Sequence, residues 1–373
     1  MLRRAIVCLT VLASMGLAAS AEARVFYVSP AGRDSRSGQS PGAAWRTVHR
    51  VNRAALRPGD VVDFQGGGTF SDAQLMPRNS GASGAPIRFT SYGGGRATLT
   101  RGVWFASIAW ITIDGLRITG VADGIASGYG LGARHVAIRQ NVISDVGIAV
   151  NSTNHADYAW TIIRNHIVNT RDSGVVMQGG WADIEANQIT NTGTDSAIPY
   201  DKHGIYSKGP LERIVGNRIV RFSAQGISTR YRDAFIAGNV IEGGDAGVGY
   251  WQQDARAGTT SICGNTILGV RYGVLIGPQS GESRERFRLV GNHIATTGGP
   301  GVYQPFGHPA LSATRNLVTT RRVSALKPAG AQACDQPQDT ASLAGPTVSV
   351  LDVLGSIMRT MIGVAKAFGS EGA

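Results

Sequence analysis

From about residue 61 to 325 the chain alternates short aliphatic runs with polar turns, and the runs recur in a fixed order. An aliphatic residue (Ile138, Ile162, Ile184, Ile214, Ile236, Ile262, Leu289) stands three places before an asparagine (Asn141, Asn165, Asn187, Asn217, Asn239, Asn265, Asn292). Each asparagine opens an Asn-x-aliphatic triplet, and Asn316-Leu317-Val318 adds an eighth. A Gly-aliphatic pair then begins another run: Gly124-Ile125, Gly147-Ile148, Gly174-Val175, Gly204-Ile205, Gly226-Ile227, Gly247-Val248, Gly273-Val274 and Gly301-Val302. Successive asparagines lie 24, 22, 30, 22, 26, 27 and 24 residues apart. Self-similarity at that period marks a stacked repeat, and runs of three or four residues are too short for useful helices. The pattern predicts three short strands per rung of a coil. Asparagine tolerates the left-handed backbone of a bend. With rungs about 4.8 Å apart, each side-chain amide can bond those above and below it. A leucine-rich horseshoe is excluded, because no Leu-x-x-Leu-x-Leu frame is present.

The flanks read differently. Val25-Phe26-Tyr27-Val28 alternates as a short strand. Residues 43–56 place Trp45, Val48, Val51 and Ala55 at helical spacing and stop at Arg57-Pro58-Gly59-Asp60. They predict an amphipathic helix, the cover that the open end of a stack requires. Past Val323 the repeat ends. Residues 326–347 read as a linker, and 348–373 as an amphipathic C-terminal helix and tail with Asp352, Arg359 and Lys366 on its polar face. That helix is expected to pack on the coil or its end; weak self-association or a membrane surface is the alternative. At the other terminus, Arg3 and Arg4, an apolar stretch over 5–19 and Ala21-Glu22-Ala23 read as a signal peptide over residues 1–23. This predicts a secreted or periplasmic protein. No later stretch is long and apolar enough for a membrane span. The organisation is therefore a signal peptide (1–23), an N-terminal strand and capping helix (24–60), one elongated coil (61–325), a linker and a terminal helix.

The repeats, with Val25-Phe26-Tyr27-Val28-Ser29-Pro30, Trp45-Arg46-Thr47 and Pro58-Gly59-Asp60, resemble the right-handed parallel β-helix proteins of the pectate-lyase-like superfamily over roughly residues 25–325. The resemblance implies an all-β fold, a right-handed parallel β-helix solenoid. It implies no single activity, since the group includes lyases, hydrolases, epimerases and surface proteins. It also implies a groove over the Gly-aliphatic strand, where lyases of the group often use Lys or Arg. The acidic calcium-binding cluster of pectate lyases and the Asp-Pro-His motif of alginate epimerases are not evident. No cofactor is thus expected, with calcium left open.

Charge narrows the partner. The chain carries a formal +11, a field that favours acidic partners. For an exported protein an acidic, uronate-containing polysaccharide fits better than nucleic acid, for which no binding motif is present. Cys8 lies in the signal; Cys263 and Cys334 either pair or remain buried thiols, with no spacing for a metal or redox site. Of 36 basic residues only four are lysines, which draws attention to each.

A filled coil has no internal pocket, so chemistry must sit on an outer face or in loops. With Ile205 inward, alternation turns Tyr206 and Lys208 outward; aligning Gly226 with Gly204 turns Ser228 and Arg230 outward beside them. Gln178 precedes and Trp251 follows in the same column. Lys208, Arg230, Tyr206 and His203 are the candidate catalytic residues, with Arg232, Gln178 and Trp251 for substrate binding. An adjacent cation disfavours the charged form of a lysine, making it a base nearer neutral pH. An arginine pairs bidentately with a carboxylate. Together they suit β-elimination, with Tyr206 or His203 protonating the leaving oxygen or assisting as base. His203 reads equally well as a turn histidine bonded to Asp201. An insertion over 192–200 falls just before this strand, and long loops tend to be functional.

Two other classes stay open. A glycoside hydrolase would draw on Asp172, Asp195, Asp201, Asp233, Asp245 and Asp254, although no closely spaced Asp-Asp pair occurs. A non-catalytic carbohydrate-binding or envelope protein would use Trp104, Trp110, Trp160, Trp181 and Trp251 against sugar faces, or else these pack under loops. Gly38-Gln39-Ser40-Pro41-Gly42 spells a serine-hydrolase elbow but has no strand-to-helix context.

Overall fold

The structure, a computed structural model, describes residues 23–195, 201–253, 256–277, 284–305 and 311–320. The expected signal peptide (all but its last residue), the linker, the terminal helix and Cys334 lie outside the described residues. What is described is an all-β parallel solenoid. Its strands form three parallel sheets of 12, 11 and 9 strands, each strand hydrogen-bonded to its counterparts one rung before and one rung after.

Each of the three sequence features has its own sheet. The residues three places before the asparagines pair as Ile138, Ile162, Ile184, Ile214, Ile236, Ile262 and Leu289 in the first sheet. The Asn-x-aliphatic isoleucines pair as Ile143, Ile167, Ile189, Ile219, Ile241, Ile267 and Ile294 in the second. In the third, Ile125, Val150, Val175, Ile205, Ile227, Val248 and Val274 share one register. All of these side chains are fully buried and belong to one continuous core. A residue that keeps its phase from rung to rung therefore stacks on its own kind. Cys263 is buried and disulfide-bonded.

The asparagine ladder is present, but the bend is not where the sequence places it. Nδ2 of Asn187 donates to Oδ1 of Asn217 at 2.9 Å, and the contact repeats from Asn141 to Asn316 at 2.8–3.1 Å. The left-handed residue is the one before each asparagine: Gln140, Arg164, Ala186, Gly216, Gly238, Gly264, Gly291 and Arg315. The asparagine side chain instead satisfies the backbone that this bend leaves open, donating to the aliphatic carbonyl of the rung before, as Asn217 does to Ile184 O at 2.8 Å.

Gly147-Ile148 departs from the expected pattern, since Ile148 pairs with Asp123 and Val150 takes the core position, but the glycines of the following pairs are required by the interior. A Cβ at residue 204 would lie 2.4 Å from Ile219 Cγ2 and 2.5 Å from Gly226 O. The same collision with the next rung's isoleucine recurs at Gly174, Gly226, Gly247 and Gly273. Glycine lets the chain enter the third sheet tight against the core.

At the N-terminus Val25–Val28 is the first strand of the first sheet, pairing with Val61–Gln65. The capping helix covers only Val48–Asn52, not 43–56. Trp45, counted as a helical position, bridges Val28 as extended chain and stacks on Phe26 with ring centroids 4.7 Å apart. Strand pairing claims Trp45, and Thr47 caps the helix by accepting from Arg50 N. Val48 and Val51 still close the core. Among the described residues no helix is long and apolar enough to cross a membrane.

Candidate functional site

The third sheet presents the candidate residues. Ile205 and Ser207 face inward and are fully buried, while Tyr206 and Lys208 face outward and are partly covered. Met177, Ser207, Thr229 and Tyr250 are register partners. Gln178, Lys208, Arg230 and Trp251 follow directly on them and form the expected column. Both cations are still held by the sheet: Lys208 N donates to Met177 O at 2.6 Å and Arg230 N to Ser207 O at 3.1 Å.

The two cations converge on one phenol. Lys208 Nζ and the Arg230 guanidinium carbon each lie 5.2 Å from the centroid of the Tyr206 ring. Burial pushes the Lys208 amine below the usual lysine range, and the neighbouring Arg230 charge adds to the effect. Burial raises the Tyr206 hydroxyl, against the opposing pull of Arg230, so the phenol remains a proton donor. Among the described residues neither Lys208 nor Arg230 is ion-paired, unlike Arg232 with Asp233 at 2.8 Å and Lys202 with Asp195 at 3.5 Å. The two adjacent cations therefore face outward without a carboxylate partner among the described residues.

His203 is buried behind Tyr206, with ring centroids 4.7 Å apart. Its Nδ1 has no hydrogen-bond partner, so the turn bond to Asp201 does not form through that nitrogen. Burial, with Arg230 nearby, lowers its pKa to about 3. The imidazole is neutral and packs against the tyrosine from within.

Arg232 is not in the column. The chain turns at Asp233, in the left-handed region at φ 60°, and Arg232 pairs with that residue's carboxylate. The proposed hydrolytic carboxylates are dispersed as well. Asp172 accepts from Ser173 N and Oγ, Asp195 pairs with Lys202, Asp233 with Arg232, and Asp254 lies outside the described residues. Of the tryptophans, Trp160 is fully buried with Nε1 donating to Ala133 O, and Trp110 stacks on His135 at 4.0 Å. Trp104 and Trp251 are half-buried and Trp181 is exposed.

Sequence reasoning misses two groups. His155 reaches across one rung, its Nδ1 2.9 Å from Gln178 O, and its ring lies 6.2 Å from that of Tyr231, walling the column on the turn side. It sits in a turn outside the repeat, where periodicity carries no signal. Beneath the strand, Glu212 is fully buried; Ser207 and the Gly209 amide face its carboxyl, yet neither oxygen has a full hydrogen bond. Burial raises its pKa well above the usual carboxylate value. Its position, inward at the start of a first-sheet strand, is readable from the pattern; its raised pKa is not.

Calcium requires six to eight oxygen donors, and the column of Gln178, Tyr206, Lys208, Arg230 and Trp251 supplies no carboxylate, so this donor set does not suit it. Among the described residues no group of three or more His, Cys, Asp or Glu is placed to hold a metal.

No family model matches the sequence, and no curated protein matches it. Solved structures are similar in fold. An alginate lyase from Paenibacillus sp. str. FPU-7 is 19% identical with a TM-score of 0.53, over 73% of this chain and 97% of the other. A lacto-N-biosidase from Eubacterium ramulus is 13% identical with a TM-score of 0.57, over 79% and 68%. XylC in complex with xylose is 12% identical with a TM-score of 0.58, over 75% and 69%. The fold shared with these structures is a right-handed parallel β-helix.

Proposed function

We propose that this chain acts on an acidic, uronate-containing polysaccharide by β-elimination. The observation that carries the reading is the convergence of Lys208 and Arg230 on Tyr206, 5.2 Å each from its ring, with neither cation ion-paired among the described residues. Arg230 pairs with the uronate carboxylate and draws charge from it. This acidifies the C5–H. Lys208, its ammonium destabilised by burial and by Arg230, is the base that removes that proton. The electron pair forms the C4–C5 double bond as the C4–O bond breaks, and Tyr206 gives its proton to the departing oxygen. Gln178 and Trp251 flank the reacting sugar. His203 holds the tyrosine from behind and carries no proton in this scheme. Export directed by residues 1–23 would bring the protein to such polymers.

The test is incubation of the mature protein with alginate, pectate, glucuronan and glycosaminoglycans, reading the ultraviolet absorbance of unsaturated ends. Lys208→Ala is expected to abolish the signal with the thermal midpoint unchanged. New reducing ends without that absorbance would identify a hydrolase. Retention on a polysaccharide column with no product would identify a binding module. Either result replaces the elimination reading.

A further inference from the structure

We infer a second sugar-binding site on the same groove, at its N-terminal end, that takes a distant acidic unit of the polymer; it rests on the polysaccharide reading above. The outward residues of the third sheet align in one register: Trp104 with Ala126, Ala126 with Asn151, Asn151 with Val176, Val176 with Tyr206. Four steps of about 4.8 Å put the indole about 19 Å from the phenol along the solenoid axis. Leu75 bridges Val103, so Met76, which is exposed, extends the column one place beyond Trp104.

At that end lies a cavity of about 700 Å³ lined by Trp104, His49, Arg53, Met76 and Arg78 among others. Its walls are fixed. Asn52 of the capping helix donates Nδ2 to Gln74 O at 2.7 Å and accepts from Met76 N at 2.8 Å, tying the helix to the segment that carries Met76 and Arg78. A Cβ at Gly128 would come within 3.2 Å of the indole, so glycine gives the Trp104 ring its place over the neighbouring strand. Arg53 and Arg78 are exposed, and neither is ion-paired among the described residues.

Two unpaired arginines beside a half-buried indole suit a sugar ring that bears a carboxylate: stacking for its face, bidentate pairing for its acid. Between this site and Tyr206 the register positions are Ala126 and Val176, both nearly covered, and Asn151, whose Nδ2 donates to Asp123 Oδ1 at 3.2 Å. An acidic chain lying along the axis therefore meets cations at both ends, with no cation at the register positions between them. A substrate too short to bridge the two ends gains nothing from the distal one.

Binding of oligouronates of graded length, prepared from alginate and from pectate, tests this by calorimetry in a Lys208→Ala background that prevents turnover. Trp104→Ala, and separately Arg53→Gln with Arg78→Gln, are expected to weaken long oligomers about tenfold and leave disaccharides unchanged. The arginine pair is exposed, so its variant keeps the test sharp if Trp104→Ala destabilises the cap. Equal affinity of wild-type and distal variants for long oligomers would overturn the inference while leaving the elimination reading intact. Distal weakening with no unsaturated ends formed by the Lys208-containing protein would uphold the site and remove the lyase. No binding of any oligomer would overturn both.

Discussion

The asparagine ladder makes the sharpest quantitative claim, and Asn217→Ala tests it at the centre of the coil. Asn217 is 1% exposed. Its Oδ1 accepts from Asn187 N at 3.0 Å and Asn187 Nδ2 at 2.9 Å, and its Nδ2 donates to Ile184 O at 2.8 Å and Asn239 Oδ1 at 3.0 Å. Truncation leaves the Asn187 main-chain N–H without the acceptor that this side chain supplies, in a place water cannot reach, and removes one of the donors to Ile184 O, a carbonyl within the paired strands of the first sheet. Asn187 Nδ2 and Asn239 Oδ1 each keep one other bond, to Ile162 O and from Asn217 N. An orphaned buried N–H costs about 1–3 kcal/mol, and the lost bond to Ile184 O adds to that. The last asparagine is the control. Asn316 accepts from Asn292 and donates to Leu289 O, but it is only half-buried, and water can replace the alanine variant's losses. Asn316→Ala is expected to cost about 1 kcal/mol or less. Urea unfolding followed by circular dichroism gives both differences, and hydrogen exchange at the Asn187 amide should accelerate only in the central variant. Equal costs at the two positions, or a central cost below about 1 kcal/mol, would show that the core columns alone set the stack and that the ladder is incidental.

Other consequences follow from the same geometry. Gly204→Ala puts a methyl group 2.4 Å from Ile219 Cγ2 and should cost about 3 kcal/mol or more with loss of activity, because Tyr206 and Lys208 move with the strand. Gly216→Ala, at φ +64° with open space around it, should cost only about 1 kcal/mol in thermal unfolding and leave activity intact. Arg230→Gln removes a like charge from beside Lys208, so the lysine pKa rises; the acid limb of the pH–rate profile should shift to higher pH while kcat falls. An unshifted limb would remove Lys208 as the base. Glu285 has its pKa raised from 4.5 to about 7, chiefly by burial. Between those values the unfolded chain is ionised and the folded one protonated, so stability present below pH 4.5 is lost as pH rises to about 7. Glu285→Gln should flatten the thermal midpoint over that window.

The legible and illegible parts of this chain divide along one physical line. What repeats is readable, because parallel stacking places equivalent positions in contact: Ile138 on Ile162, Gln178 beside Lys208, Lys208 beside Arg230. Phase inside a rung is then enough to turn Tyr206 and Lys208 outward and Ser207 inward. What does not repeat is lost. Arg232 lies only two residues past Arg230, the same step that separates Tyr206 from Lys208, yet the strand ends at Thr229 and the chain bends over residues 231–233, so alternation no longer applies. His155, in another turn, arrives beside Gln178 with no periodic signal at all. Trp45 fails for the opposite reason: helical spacing is real in the sequence, but Val28 offers it a strand to pair with, and a five-residue helix cannot compete for it. The bend itself shows how a correct pattern can carry a wrong cause. Asparagine marks each corner because its side chain closes the hydrogen bonds that the corner opens, while the left-handed strain falls on the residue before it. That residue changes from Gln140, Arg164 and Ala186 to glycine at 216, 238, 264 and 291, which is why no repeat unit shows it. The backbone conformation is conserved by geometry along the coil; the residue type that adopts it is free to vary, and only the asparagine, with a bond to make on each side, is not.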